Sequence, residues 1–228
     1  MLVLALDTAT PTLVAGVARW SAGEGAEVLA ERAVPSGTRH AELLTPAVRG
    51  ALADAGVALR DVGAVVVGLG PGPFTGLRVG VVTAATLADA RGIPAVGVCS
   101  LDAVGDPRRP RVVVTDARRK EVYWAAYSGD GARTDGPAVA RPEELGLAGP
   151  FVGDPRFADR LGAPVEPAEV TTAGLLRAAA AQLADPSSAG PLVPLYLRRP
   201  DAVPPTSIKP VTKPVTKPVS QPEPEPRA

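Results

Sequence analysis

Val3-Leu-Ala-Leu-Asp7 and Val112-Val-Val-Thr-Asp116 are one unit written twice, an apolar strand closed by an aspartate. At the same offset and without gaps, Leu13-Val-Ala-Gly-Val17 falls on Val122-Tyr-Trp-Ala-Ala126. A strand, an Asp at its carboxyl end, a turn and a second strand at the head of both halves predicts two related lobes. The expected division is 1–105 and 106–203, broken at Gly105-Asp-Pro-Arg-Arg-Pro110, followed by a tail at 204–228. That tail holds eight prolines and a Lys-Pro-Val repeat, a composition that predicts an extended, dispensable segment rather than a helix or sheet.

Outward from Asp7, the first half reads as alternating elements. Leu2–Leu6, Leu13–Ala18 and Val28–Ala33 are short apolar runs split by turn signals, which predicts an antiparallel meander. Helical spacing of Leu43, Leu44, Ala47, Val48, Ala51 and Leu52 predicts a helix over His40–Gly56, with Pro46 as a kink or a delayed start. Ala64–Leu69 is a buried-type strand, Thr75–Arg91 a second helix and Ala95–Val98 a fifth strand. The order β-β-β-α-β-α-β is a hairpin sheet continued by parallel crossovers, hence an α/β fold.

Composition removes several function classes. The 228 residues carry 24 Lys+Arg against 24 Asp+Glu, so there is no net field to hold nucleic acid or an acidic membrane. A single cysteine, Cys99, excludes a disulfide framework, and a single histidine, His40, excludes any site needing two imidazoles. Asp7 stops the apolar start Met1–Leu6, no basic residue precedes it, and no stretch approaches a membrane span. A cytoplasmic protein without a membrane segment is expected.

The loop Gly68-Leu-Gly70-Pro-Gly72-Pro-Phe-Thr-Gly76-Leu-Arg78-Val-Gly80 joins a strand to a helix, the place where glycine-rich loops hold phosphates. Its spacing fits neither a Walker loop nor a dinucleotide fingerprint, and Pro71 and Pro73 remove two N–H donors. A rigid turn is the simpler reading. Behind it, Gly76, Gly80, Ala84 and Ala88 recur every four residues as a ridge of nearly bare backbone. Glycine inside a helix costs about 1 kcal/mol relative to alanine, so something packs closely there: the chain's own sheet or a partner's helix. Asp7 and Asp116 are either ligands at strand ends or caps of their own turns. Thr8 offers a hydroxyl to a phosphate or to the turn. The basic run Arg108, Arg109, Arg111, Arg118, Arg119, Lys120 reads as a solvated face, with RNA contact the less favoured reading.

Several stretches together resemble one family. Leu4-Ala-Leu-Asp7-Thr-Ala-Thr10, Arg39-His40-Ala-Glu-Leu-Leu-Thr-Pro46 and Gly70-Pro-Gly-Pro-Phe-Thr-Gly-Leu-Arg-Val-Gly80 resemble the bacterial TsaB (YeaZ) proteins. Asp116-Ala-Arg-Arg-Lys-Glu-Val-Tyr123 and Pro194-Leu-Tyr-Leu-Arg198 add to the likeness, with Pro73 standing where Ser is usual. The resemblance implies a duplicated actin-like, ribonuclease-H-like (ASKHA) fold with a mixed sheet flanked by helices in each lobe. It implies a non-catalytic subunit for threonylcarbamoyl modification of adenosine 37 in tRNAs reading codons that begin with A. The implied partners are a catalytic TsaD-type transferase in a heterodimer and a TsaE-type ATPase, with tRNA met only through the complex and a homodimer formed when the chain is alone.

The catalytic relative resembles a metalloenzyme with a His-x-x-x-His pair after the loop–helix–strand unit. The corresponding stretch here, Val96-Gly-Val-Cys99-Ser-Leu-Asp-Ala-Val104, has no histidine. No catalytic residue, metal ligand or cofactor is therefore expected. The actin-like phosphate contacts look incomplete, which leaves weak nucleotide binding open at Asp7, Thr8 and Asp116. The expected partner interface is a helical face over His40–Gly56 and Thr75–Arg91, carried by His40, Leu44, Val48, Gly76, Gly80, Ala84 and Ala88. The alternative is a stand-alone enzyme, either an ATP-binding kinase-like protein or a glycoprotease-type peptidase.

Overall fold

The computed structural model describes residues 1–198, so the expected tail at 204–228 lies outside the described residues. Leu2–Asp7 (β1), Thr12–Ser21 (β2) and Gly25–Pro35 (β3) form the antiparallel meander. Helix His40–Asp54 (α1) leads to Val62–Gly68 (β4), and helix Phe74–Arg91 (α2) leads to Ala95–Val98 (β5). Both added strands run parallel to β1, giving the order β3-β2-β1-β4-β5. Pro46 sits on the exposed side of α1, which starts at His40 and continues through it.

The second sheet repeats that topology. Arg111–Asp116 (β6), Val122–Tyr127 (β7), Arg133–Ala140 (β8), Phe151–Gly153 (β9) and Val165–Pro167 (β10) are ordered β10-β9-β6-β7-β8. Strand senses match the first sheet throughout. The superposition is not gapless, however. Asp7 pairs with Val14, whereas Asp116 pairs with Val122, so the second turn is one residue shorter. Arg118, Arg119 and Lys120 close it with φ of 66°, 50° and 64°, a left-handed run that side chains disfavour by about 1–2 kcal/mol each.

The two units differ most in their crossovers. Between β8 and β9 there is only a 3-10 turn, Pro142–Glu144, where the first unit has α1. Between β9 and β10 a four-residue helix, Ala158–Leu161 (α3), stands in for the 18-residue α2. Helices Thr172–Ala178 (α4) and Ala180–Ala184 (α5) follow β10, and α4 packs back across β2, β3 and the turn Ser100–Ala103. Its approach is close: a Cβ on Gly16 would lie 1.8 Å from Thr172 Oγ1.

Alternation along the strands distributes the core into layers. In β1, Val3 and Ala5 face α4 and the second sheet, and Leu4 and Leu6 face α1 and α2. Ala64 and Val66 against Val65 and Val67 divide β4 the same way. One continuous apolar layer, with Leu175, Leu176, Val113 and Tyr123, joins the inner faces of both sheets.

Candidate functional site

Four groups meet where β1 ends. Asp7 is fully buried; its Oδ1 accepts the Ala9 N–H at 2.8 Å and its Oδ2 accepts the Ser100 hydroxyl at 2.5 Å. Burial pushes the Asp7 carboxyl above its ordinary range, against the lowering effect of those hydrogen bonds and of nearby His40. Thr8 Oγ1 donates to the Gly76 carbonyl at 2.8 Å and accepts the Gly80 N–H at 3.2 Å. His40 Nε2, carrying the ring proton, donates to the Thr10 carbonyl at 2.8 Å. The β1–β2 turn is thereby tied to the glycine loop, to α2 and to the start of α1.

The glycine motif follows from this crowding. A Cβ on Gly68 would fall 1.7 Å from Asp7 Oδ2, and one on Gly76 would fall 2.7 Å from the Thr8 carbonyl. The loop is a close-packed turn clamped on Asp7-Thr8-Ala9. Its free polar group, the Gly70 N–H, goes to Ser100 Oγ at 3.1 Å.

Between the two sheets lies a cavity of about 370 Å³ whose charged lining is Asp116, Asp154, Arg156 and Glu169, with Thr10, Thr12 and Thr115 beside them. Only Asp116 of the expected nucleotide residues reaches it; Asp7 and Thr8 are buried beneath the turn. The subsite expected from Asp7, Thr8 and Asp116 is therefore not assembled. Asp116 Oδ1 accepts the Arg118 N–H at 2.7 Å, the same bond two residues on that Asp7 makes to Ala9. Arg156 is held by Asp154 at 2.5 Å and Asp116 at 3.5 Å, so the one cation lining the cleft among the described residues is already paired and the charge balance of that lining is acidic. Such a lining disfavours a phosphate. Among the described residues, no three His, Cys, Asp or Glu side chains are grouped to hold a metal ion.

The expected interface residues face the wrong way for a partner. His40, Leu44, Val48, Gly76, Gly80, Ala84 and Ala88 are all buried. The ridge packs on the chain's own sheet and on Thr8, because only small residues let α2 approach this closely. What α2 presents outward is Phe74, Arg78 and Val82, at four-residue spacing. Phe74 is 44% and Val82 60% exposed. Arg78 lies 3.9 Å over the Phe74 ring, and its Nε donates to the Tyr196 hydroxyl at 3.2 Å. The Tyr196 ring sits 5.0 Å from that of Phe74, brought there by the Leu195 N–H bonding the Leu69 carbonyl. Sequence reasoning singled out Pro194–Arg198 without giving it a role; here it completes the α2 surface.

Residues 33–185 match the family model described as TsaD: tRNA N6-adenosine threonylcarbamoyltransferase. The YeaZ structure from Pseudomonas aeruginosa superposes with a TM-score of 0.69 at 27% identity, over 86% of this chain and 99% of that one. TsaB of Escherichia coli, a tRNA threonylcarbamoyladenosine biosynthesis protein, is 37% identical over 155 residues, 63% of this chain and 64% of its own length. The chain belongs to this family, in its TsaB (YeaZ) group. An uncharacterised protein of Mycobacterium tuberculosis is 52% identical over 206 residues, 89% of this chain and 94% of that protein. The repeated sheet is thus the fold of the YeaZ structure, two five-stranded mixed sheets of one topology.

Proposed function

We propose that this chain is an accessory, non-catalytic subunit in tRNA threonylcarbamoyladenosine biosynthesis that binds a TsaD-type transferase. The names of its TsaB relatives and the TsaD-family match support the pathway. The observation that carries the accessory role is internal: Asp7 and Thr8 spend their hydrogen bonds on the chain's own loop and helix. A TsaE-type ATPase would join the same complex, tRNA would be met through it, and the compartment would be the cytoplasm. No helix among the described residues is long and apolar enough to cross a membrane.

The docking surface in this reading is the outer face of α1 and α2, with Ala41, Thr45, Phe74, Arg78 and Val82 outward. An aromatic side chain and a stacked arginine are the residue types that anchor protein interfaces. Without the transferase, the same face would pair two copies of this chain. The proposed domain division, 1–105 and 106–203, separates the first sheet from the second.

Reconstitution tests the reading. The purified chain alone should form no modified tRNA and cleave no peptide, while adding it to the transferase and ATPase should raise product formation. Activity of the highly purified chain by itself, lost on a point substitution within it, would overturn the accessory role.

A further inference from the structure

A second cavity, of about 410 Å³, opens on the surface and shares no lining residue with the cleft between the sheets. Three arginines from different elements converge on it: Arg111 at the start of β6, Arg133 at the start of β8 and Arg177 on α4. Arg111 forms the floor. It is only 4% exposed, stacks 4.2 Å over the Tyr127 ring, and donates from Nε to the Val104 carbonyl and from Nη1 to the Asp106 carbonyl. Arg177 Nη2 donates to the carbonyls of Asp102 and Gly105.

Each nearby carboxylate has partners, and Asp102 shares one of the pocket's arginines. Asp102 Oδ1 accepts the Tyr127 hydroxyl at 2.8 Å and lies 3.6 Å from Arg133. Asp130, at the rim, accepts from the Ser128 hydroxyl and the Ala132 N–H. Asp106 pairs with Arg108. Among the described residues, Arg111 and Arg177 therefore hydrogen-bond backbone carbonyls and no carboxylate. Burial lowers the pKa of both, for Arg177 the charge of Arg111 lowers it further, and the charges of Asp102 and Asp106 oppose this in part at both. A guanidinium has five N–H donors and stays charged in proteins, so each keeps donors and charge to spare.

We propose that this pocket is an anion site that takes a phosphate group, gripped by Arg111, Arg133 and Arg177. Donors arriving from three elements suit a tetrahedral oxyanion better than a planar carboxylate, which one guanidinium fork satisfies. The phosphate comes either from a free phosphorylated small molecule or from an RNA backbone. This site is independent of the accessory role, and failed reconstitution would leave it standing.

Calorimetry on the full chain at low salt tests it, with inorganic pyrophosphate and a short oligouridylate as the two probes. At least one probe should bind, and Arg177→Gln should weaken it by about tenfold or more, while Arg19→Gln on β2, exposed and outside the pocket lining, leaves it unchanged. Pyrophosphate binding alone assigns a small-molecule ligand; tighter oligouridylate binding that falls steeply with salt assigns an RNA backbone. Arg133→Gln/Arg177→Gln, with its fold checked by thermal melting, is the decisive variant because both side chains are on the pocket's outer walls. No binding of either probe to the wild-type chain, or undiminished binding to the folded double variant, overturns the proposal.

Discussion

The Thr8 hydroxyl oxygen accepts the Gly80 N–H at 3.2 Å, and an alanine at position 80 would place its Cβ 2.4 Å from that oxygen. Thr8 cannot rotate away cheaply, because the same hydroxyl donates to the Gly76 carbonyl. One contact thus explains why α2 tolerates a glycine in its second turn.

Gly80→Ala should destabilise the fold. Helix propensity favours the alanine by about 1 kcal/mol, but overpacking against a fixed side chain costs about 1–3 kcal/mol. Thr8→Ala removes the obstacle, so Thr8→Ala/Gly80→Ala should be more stable than the sum of the single changes predicts. Additive effects in chemical denaturation would show that the two residues do not collide.

Asp7 should give the protein a characteristic pH response. Its folded pKa is raised above the ordinary aspartate value, chiefly by burial, so the folded state holds the proton more tightly than the unfolded state. Linkage then requires its contribution to stability to fall as pH rises from about 4 through the raised value, and to level off above it. Asp7→Asn removes the titrating group. Melting curves of the two proteins should converge toward low pH, with the wild type losing ground to the variant as pH rises. Parallel curves over that range would contradict the burial argument.

Cys99 should be chemically quiet. Burial, with the Asp102 charge adding to it, pushes the thiol up to about 11, and the residue is enclosed. Only the thiolate reacts, so iodoacetamide at neutral pH should label the native chain far more slowly than the unfolded chain. The chain has one cysteine, so mass spectrometry reads the outcome directly. Equal rates would place Cys99 on an accessible surface.

These contacts mark what sequence reading reached. The first five strands and α1 and α2 were legible because each is long enough to show a period, and the Asp-terminated strand betrayed the repeat. The second unit was read only to β7. β9 and β10 are three residues each and α3 is four, too short for any periodicity to register. The four-residue helix α3 also replaced a crossover that the repeat alone would predict at full length. For α4 a signal existed, since Thr171 caps the Gly174 N–H at 3.0 Å ahead of Leu175 and Leu176. The ridge was harder. Small residues at every fourth position say that something approaches the helix, and only the fold says that it is the chain's own sheet.

That difference sets two residues of α2 against each other. Ala84 is fully buried against the first sheet, while Val82, two positions earlier, is 60% exposed beside the Phe74–Arg78–Tyr196 stack. Ala84→Leu adds volume where the helix and sheet are in contact, and overpacking should cost about 1–3 kcal/mol of folding stability. Val82→Arg changes a solvent-facing position and should alter stability by only about 0.5 kcal/mol or less. Partner affinity should reverse this ranking, because a long charged side chain placed among interface anchors must be desolvated to dock. Val82→Arg should therefore weaken capture by the TsaD-type transferase about tenfold or more while melting like the wild type. Phe74→Ala should act in the same direction by removing the ring on which Arg78 and Tyr196 lean. Circular dichroism melting beside a titrated pull-down separates the two effects. Undiminished capture by a folded Val82→Arg chain would move the interface off α2, whatever becomes of the accessory role.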